Sequence, residues 1–205
     1  MVTIIDYNTG NLGSIKNMLK RLGIPSLITN DKEAIEQAEK LILPGVGHFD
    51  YGMQQLNGSG LIPLLTKKVI EDKTPILGIC LGVQLLTESS EEGTEKGLGW
   101  IKGKTIAFDK TKLEPQQKIP NMGWHDVFNY KQSKLFNDMH EEPRFYFVHA
   151  YHLELENEND CLVTAKYGYN FAAGIEHENI FGVQFHPEKS HKYGMKLLEN
   201  FYNNY

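Results

Sequence analysis

One stretch constrains this chain more than any other: Pro75-Ile76-Leu77-Gly78-Ile79-Cys80-Leu81-Gly82-Val83-Gln84-Leu85-Leu86. An apolar run of strand character passes directly into residues at helical spacing, and Cys80 stands at the junction between Gly78 and Gly82. Such a corner holds its central residue in a strained backbone conformation, and small flanking residues let strand and helix approach closely. This is the cysteine form of the Gly-x-Ser-x-Gly elbow. If the placement holds, the first N–H groups of the helix face the sulfur and favour the thiolate. The Leu81 N–H is then positioned to donate to an oxyanion. Taken alone, the stretch also admits a buried structural cysteine.

The flanking sequence gives the corner a setting. Residues 2–5 form a short apolar run ending at Asp6, as a buried parallel strand does. After a turn cluster at 8–13, Ile15, Met18, Leu19 and Leu22 recur at helical spacing until Gly23 and Pro25 stop them. Strands are expected at 26–29, 41–43 and 76–79, and helices at 32–38 and 61–70. This order predicts an α/β fold, an open, mostly parallel sheet with helices on both faces. From 98 to 127 the chain is glycine-punctuated and hairpin-like, adding an antiparallel region in the second half. Further strands are expected at 145–148, 161–165, 172–176 and 180–185. Tyr193, Leu197, Leu198 and Phe201 share one face of a last helix at 190–202. No repeat or linker divides the chain, so residues 1–205 are expected to form a single domain.

Composition removes several function classes. A net charge of −5 gives no reason to expect nucleic acid as a partner, and no apolar run approaches the roughly 18 residues that span a bilayer. The five lysines between 102 and 118 read as a solvated hairpin face, with an acidic docking partner as the weaker reading. Two cysteines, Cys80 and Cys161, and no signal-peptide pattern point to a reducing cytoplasm.

A cysteine nucleophile needs an imidazole and a carboxylate that sets the imidazole tautomer. In Gly182-Val183-Gln184-Phe185-His186-Pro187-Glu188, His186 falls where an apolar strand ends, the place where open parallel sheets gather their sites. Glu188, two residues on, projects to the same side in an extended segment and can reach the far nitrogen. His149 and His152, three apart, are expected on opposite faces, and no Cys/His spacing supports a metal site. His48, His125, His140, His177 and His191 read as turn or surface residues.

With the elbow, the His-Pro-Glu turn and Pro44-Gly45-Val46-Gly47 in that order, the chain resembles the class I, triad-type glutamine amidotransferases. It is most similar to the glutaminase subunits of imidazole glycerol phosphate synthase. The likeness is carried by Asp6-Tyr7 through Asn11-Leu12, the segment 77–93, Asn121-Met122-Gly123-Trp124, Tyr146-Phe147-Val148-His149 and the segment 182–190. It covers nearly the whole chain. The resemblance implies a flavodoxin-like domain with a Cys80-His186-Glu188 triad, no cofactor, and glutamine as substrate. Cys80 would attack the carboxamide, His186 would protonate the departing ammonia, and water would release glutamate. Gln84 and Glu92 would bind glutamine, Glu92 through its amino group. The backbone of Gly45-Val46 would complete the oxyanion hole with Leu81, in a strand that can flip in the family. Asn11, Trp124 and Lys189 would meet a (β/α)₈-barrel cyclase subunit in a heterodimer that makes imidazole glycerol phosphate and AICAR for histidine biosynthesis.

The chain departs from the family pattern in places: Asn121 replaces the usual His, His125 the usual Asn, and His149-Ala150-Tyr151-His152 differs in detail. They leave open a related subunit that feeds a sugar amidotransferase of surface-polysaccharide synthesis. A non-catalytic regulatory partner and an unrelated cysteine hydrolase are the readings from other classes.

Overall fold

The computed structural model describes residues 1–128 and 131–205. Strand and helix alternate through the first half as β1 (Val2–Ile5), α1 (Leu12–Arg21), β2 (Ser26–Thr29), α2 (Lys32–Glu36) and β3 (Lys40–Gly45). They continue as α3 (Phe49–Gly58), α4 (Ile62–Thr66), β4 (Ile76–Cys80) and α5 (Leu81–Leu85). The second half is strand-rich: β5 (Ser89–Ser90), β6 (Gly103–Ala107), β7 (Asn121–Phe128), β8 (Arg144–His149) and β9 (Tyr151–Leu155). After these come β10 (Cys161–Tyr167), β11 (Tyr169–His177), β12 (Ile180–Val183) and the closing helix α6 (His191–Asn204).

The main sheet runs β2-β1-β3-β4-β12-β11-β10-β7-β8. Its first five strands are mutually parallel, and β12, the last strand of the chain, lies beside β4. Beyond β12 every pairing in the row is antiparallel. Two cores flank the sheet. One gathers Ile15, Met18 and Leu19 of α1 with Leu197, Leu198 and Phe201 of α6. The other gathers Ile35 of α2, Phe49, Met53 and Leu56 of α3, Leu65 of α4, and Leu81 and Leu85 of α5. Strands β1, β4 and β12 are buried on both sides, which explains why they read as unbroken apolar runs, whereas the edge strand β2 is half-buried.

Three expectations change in detail. Helix α3 and strand β9 were not foreseen, because a helix carrying Gly52 and a strand next to a histidine-rich turn give weak periodic signals. The stretch 98–127 is not a hairpin. Its strands β6 and β7 pair instead with β5 and β9, and with β8 and β10, partners that come mostly from later in the chain. Glycine marks where such a chain turns but not which strand it meets. The lysines there lie close to carboxylates: Lys102 to Glu88 at 2.7 Å, Lys104 to Glu154 at 3.3 Å and Lys112 to Asp109 at 3.5 Å. Among the described residues no helix is long and apolar enough to cross a membrane.

Candidate active site

The ends of β3, β4 and β12 meet at one edge of the sheet, with Gly45 opposite Cys80 and Ile79 opposite Val183 in register. At the end of β4 the chain turns directly into α5, and Cys80 takes φ 54°, ψ −114°. A side chain other than glycine's pays for a positive φ with strain, and such residues persist only where packing holds them. Here packing does: a Cβ on Gly82 would run into the Leu43 carbonyl oxygen, and a Cβ on Gly78 would lie 2.8 Å from Val83 Cα. The two glycines are therefore required by the closeness of α5 to β3 and to its own strand. Helix α5 is only five residues long, so its first-turn N–H groups, rather than a long macrodipole, face the sulfur.

His186 begins the turn Pro187–Lys189 just beyond β12. Its N–H donates to the Tyr146 carbonyl at 2.9 Å. Ser190 Oγ donates to the His186 carbonyl at 2.6 Å and accepts from the Tyr146 N–H at 3.0 Å. Phe185, the residue before His186, is fully buried and stacked on Phe145 at 3.9 Å; burial of such a ring contributes roughly 1.5–3 kcal/mol. On this fixed backbone, His186 Nδ1 bonds Glu188 Oε1 at 2.7 Å, with both side chains almost wholly buried. A carboxylate accepts, so Nδ1 carries the proton and Nε2 is left for the other side. Burial opposes charge on this imidazole, but the Cys80 sulfur and the Glu188 carboxylate outweigh it and His186 is pushed up to about 10. Among the described residues Nε2 has no nitrogen or oxygen partner, and the Cys80 sulfur is the group on that side that interacts with the ring.

Cys80, Leu81, Gln84, Glu92, Val46 and His186 line one cavity of about 170 Å³, together with Gly47 and residues 148–151. Six of the residues expected from sequence are thus brought together, with Gly45 beside Cys80 and Glu188 behind His186. Glu92 accepts from the Phe49 N–H at 2.8 Å, which fixes its carboxylate at the start of α3. Gln84 Nε2 donates to the Tyr151 carbonyl at 3.3 Å and to Gln184 Oε1 at 3.0 Å. The Val46 N–H is engaged elsewhere: it donates to Thr9 Oγ1 at 3.3 Å, while that hydroxyl donates to the Val46 carbonyl at 2.9 Å.

Asn11, Trp124 and Lys189 lie outside the cavity. Trp124 stacks on His191 at 5.4 Å and meets the Tyr146 ring edge-on at 6.3 Å, while Lys189 sits 5.7 Å over that ring. With Met122, 61% exposed, they form an apolar and cationic surface directly outside the His186 turn. Asn11 is exposed at the start of α1.

The histidines correct two expectations. His149 and His152 belong to different strands, so alternation does not separate them; both rings pack on Phe108, at 5.3 and 4.8 Å. Burial holds His149 neutral, pushed down to about 3. His125 is half-buried rather than fully at the surface: it packs on Phe147 and Tyr167 from within β7, and desolvation lowers its pKa. Among the described residues no group of His, Cys, Asp and Glu is arranged to hold a metal. Sequence reasoning missed Thr9 and Gln184. The first was hidden in a turn cluster. The second stood in the strand-end stretch, where only its place two residues before His186, on the same side of the strand, hinted at a role.

Residues 3–205 match the family model described as glutamine amidotransferase class-I. An imidazole glycerol phosphate synthase subunit HisH 2 of Methanococcus maripaludis is 55% identical over 98% of both chains. A HisH 2 subunit of Pseudomonas aeruginosa is 47% identical over the same shares. Among solved structures, one described as a glutamine amidotransferase superposes with a TM-score of 0.74 at 20% identity, covering 98% of this chain and 97% of the other.

Proposed function

The chain belongs to the class-I glutamine amidotransferases and, within them, to the HisH subunits of imidazole glycerol phosphate synthase, and from that premise we propose how its residues work. Cys80 is the nucleophile, His186 the acid–base and Glu188 its orienting carboxylate. The observation that carries this reading is a buried His186–Glu188 pair facing the cavity that also receives the sulfur of a positive-φ elbow. The Cys80 thiolate attacks the glutamine carboxamide carbon, and the electron pair moves to oxygen. As the tetrahedral adduct collapses, the C–N bond breaks and the His186 imidazolium gives its proton to nitrogen, releasing ammonia. Water then attacks the thioester with His186 as base, the C–S bond breaks, and glutamate leaves.

Gln84 and Glu92 hold the substrate in this proposal. The fixed Glu92 carboxylate suits an ammonium group, and the Gln84 amide lies one helical turn beyond the nucleophile. Leu81 N–H supplies one oxyanion donor. Val46 N–H supplies the second only after leaving Thr9, and Gly45, without a Cβ, lets that peptide rotate. The ammonia passes to a (β/α)₈-barrel cyclase subunit that makes imidazole glycerol phosphate and AICAR, docked on the surface around Trp124, Lys189 and Asn11. Two free cysteines fit a cytoplasmic setting.

The test follows glutamate release from glutamine by the chain alone and with the cyclase and its nucleotide substrate. The partner is expected to stimulate release, and Cys80→Ala to abolish it, by 10³-fold or more on the order seen for nucleophile deletions. Release that persists in Cys80→Ala removes the triad. A chain that ignores the cyclase and answers to a sugar-modifying synthase instead moves the acceptor and leaves the chemistry intact.

A further inference from the structure

Gln184 is fully buried immediately after β12, and its side chain lies between two residues of the proposed site. The orientation of its amide is fixed by a chain of single-valued hydrogen bonds. The Tyr151 carbonyl can only accept, so the Gln84 atom bonded to it, at 3.3 Å, is the NH₂ group. The same NH₂ meets Gln184 at 3.0 Å, so the Gln184 atom there is its oxygen. The Gln184 NH₂ is therefore left facing Cys80 Sγ, at 3.9 Å. The far end of the chain is equally determined. His149 is neutral and donates from Nδ1 to the same Tyr151 carbonyl at 2.8 Å, so its Nε2 accepts from Asn121 Nδ2 at 3.2 Å.

We propose that Gln184 is a further residue of the glutaminase reaction: its carboxamide N–H donates to the Cys80 thiolate and holds the sulfur in its attacking position. Its oxygen at the same time holds the Gln84 amide in place. This inference rests on Cys80 being the nucleophile. The physical case is that a thiolate is a buried anion, and beyond the backbone it needs donors. Among the described residues, the titratable groups facing the sulfur supply one cation. His186 with Glu188 comes from the turn after β12, Tyr7 from beyond β1, neutral His149 from β8, and Glu92 from across the cavity. Glu92 adds negative charge. The Tyr7 phenol is raised by burial and by the Cys80 charge, and its hydroxyl is already given to the Pro44 carbonyl. Gln184 is the neutral side-chain donor whose hydrogen bond reaches the sulfur.

The experiment measures the rate of Cys80 alkylation by iodoacetamide against pH, on the full chain in a Cys161→Ser background so that one thiol reports. Gln184→Met keeps volume and removes the donor; Gln184→Glu keeps shape and places a carboxylate against the sulfur. The alkylation midpoint is expected to rise by about one pH unit in Gln184→Met, the size of one lost hydrogen bond to a charge. It is expected to rise further in Gln184→Glu. Gln84→Met, which releases the Gln184 oxygen but leaves the Gln184 donor in the chain, should raise KM for glutamine and move the midpoint by less than Gln184→Met does. A purely structural role moves stability but not the midpoint. An unmoved midpoint in either folded Gln184 variant, or an equal shift in Gln84→Met, overturns the inference. Cys80→Ala separates the two levels: hydrolysis that persists there sinks both readings, whereas hydrolysis that is lost while Gln184 has no effect sinks only this one.

Discussion

The two walls of the cavity are built differently. On the β4–β12 side, Cys80, His186, Glu188 and Gln184 are buried, and the His186 backbone is bolted to Tyr146. On the β3 side, Val46 is 43% exposed, and its N–H is held by the Thr9 hydroxyl rather than aimed at the sulfur. One wall is held rigidly by burial and hydrogen bonds, and the other stands in an arrangement that competes with its proposed role. On the proposed reading, nucleophile activation and oxyanion stabilisation are separable in this protein, and the second is the step open to control by a partner.

Breaking the rigid wall should cost most. Glu188→Gln turns an acceptor into a group that can donate to Nδ1 and set the wrong tautomer; kcat for glutamate release is expected to fall about 10³-fold with little change in KM. Next comes the surface joined to that wall through Tyr146. Trp124→Ala should weaken binding of the cyclase subunit about 30-fold, as loss of an aromatic anchor does, measured by titration calorimetry.

The pH response separates the walls further. Because the folded pKa of His186, about 10, lies above the ordinary imidazole value of ~6.5, its contribution to stability is fully present below pH ~6.5 and is lost as pH rises through about 10. In the proposed mechanism glutamine turnover needs the same proton for departing ammonia, so kcat/KM is expected to fall about tenfold per pH unit above that value. An alkaline limb near neutrality would contradict the assignment. The Thr9–Val46 pair contains no titratable group and should not respond. The smallest effect belongs to that pair: Thr9→Val frees the Val46 N–H and should raise partner-free glutamate release about fivefold, the worth of one hydrogen bond. No change on removing the hydroxyl would mean that Thr9 does not restrain the oxyanion strand.

Legibility in the sequence followed the same divide. The parallel half was mostly readable because its central strands are buried on both faces and a helix such as α1 repeats its own period: Val2–Ile5 and the run into Cys80 declare themselves locally, and only α3, interrupted by Gly52, escaped. Strands β6, β7 and β9 did not, since their partners are set by long-range pairing, and His149 and His152 were separated by an alternation that the change of strand cancels. Thr9 lies 37 residues from the peptide it holds, and Gln184 lies 104 from Cys80. Spacing rules carry no information at that range.

By itself, then, the sequence determined the elbow, the His-Pro-Glu turn and the parallel sheet that aims them at one edge. Each is encoded by neighbours within a turn or two: glycines where backbones touch, proline where a strand stops, apolar periods where a face is buried. Only the tertiary structure decided which hydroxyl restrains Val46, which carbonyl fixes Gln84 and which amide faces the sulfur. Those choices depend on where a hydrogen bond's second partner arrives in space, and a donor's identity in the chain does not specify the acceptor that folding will bring to it.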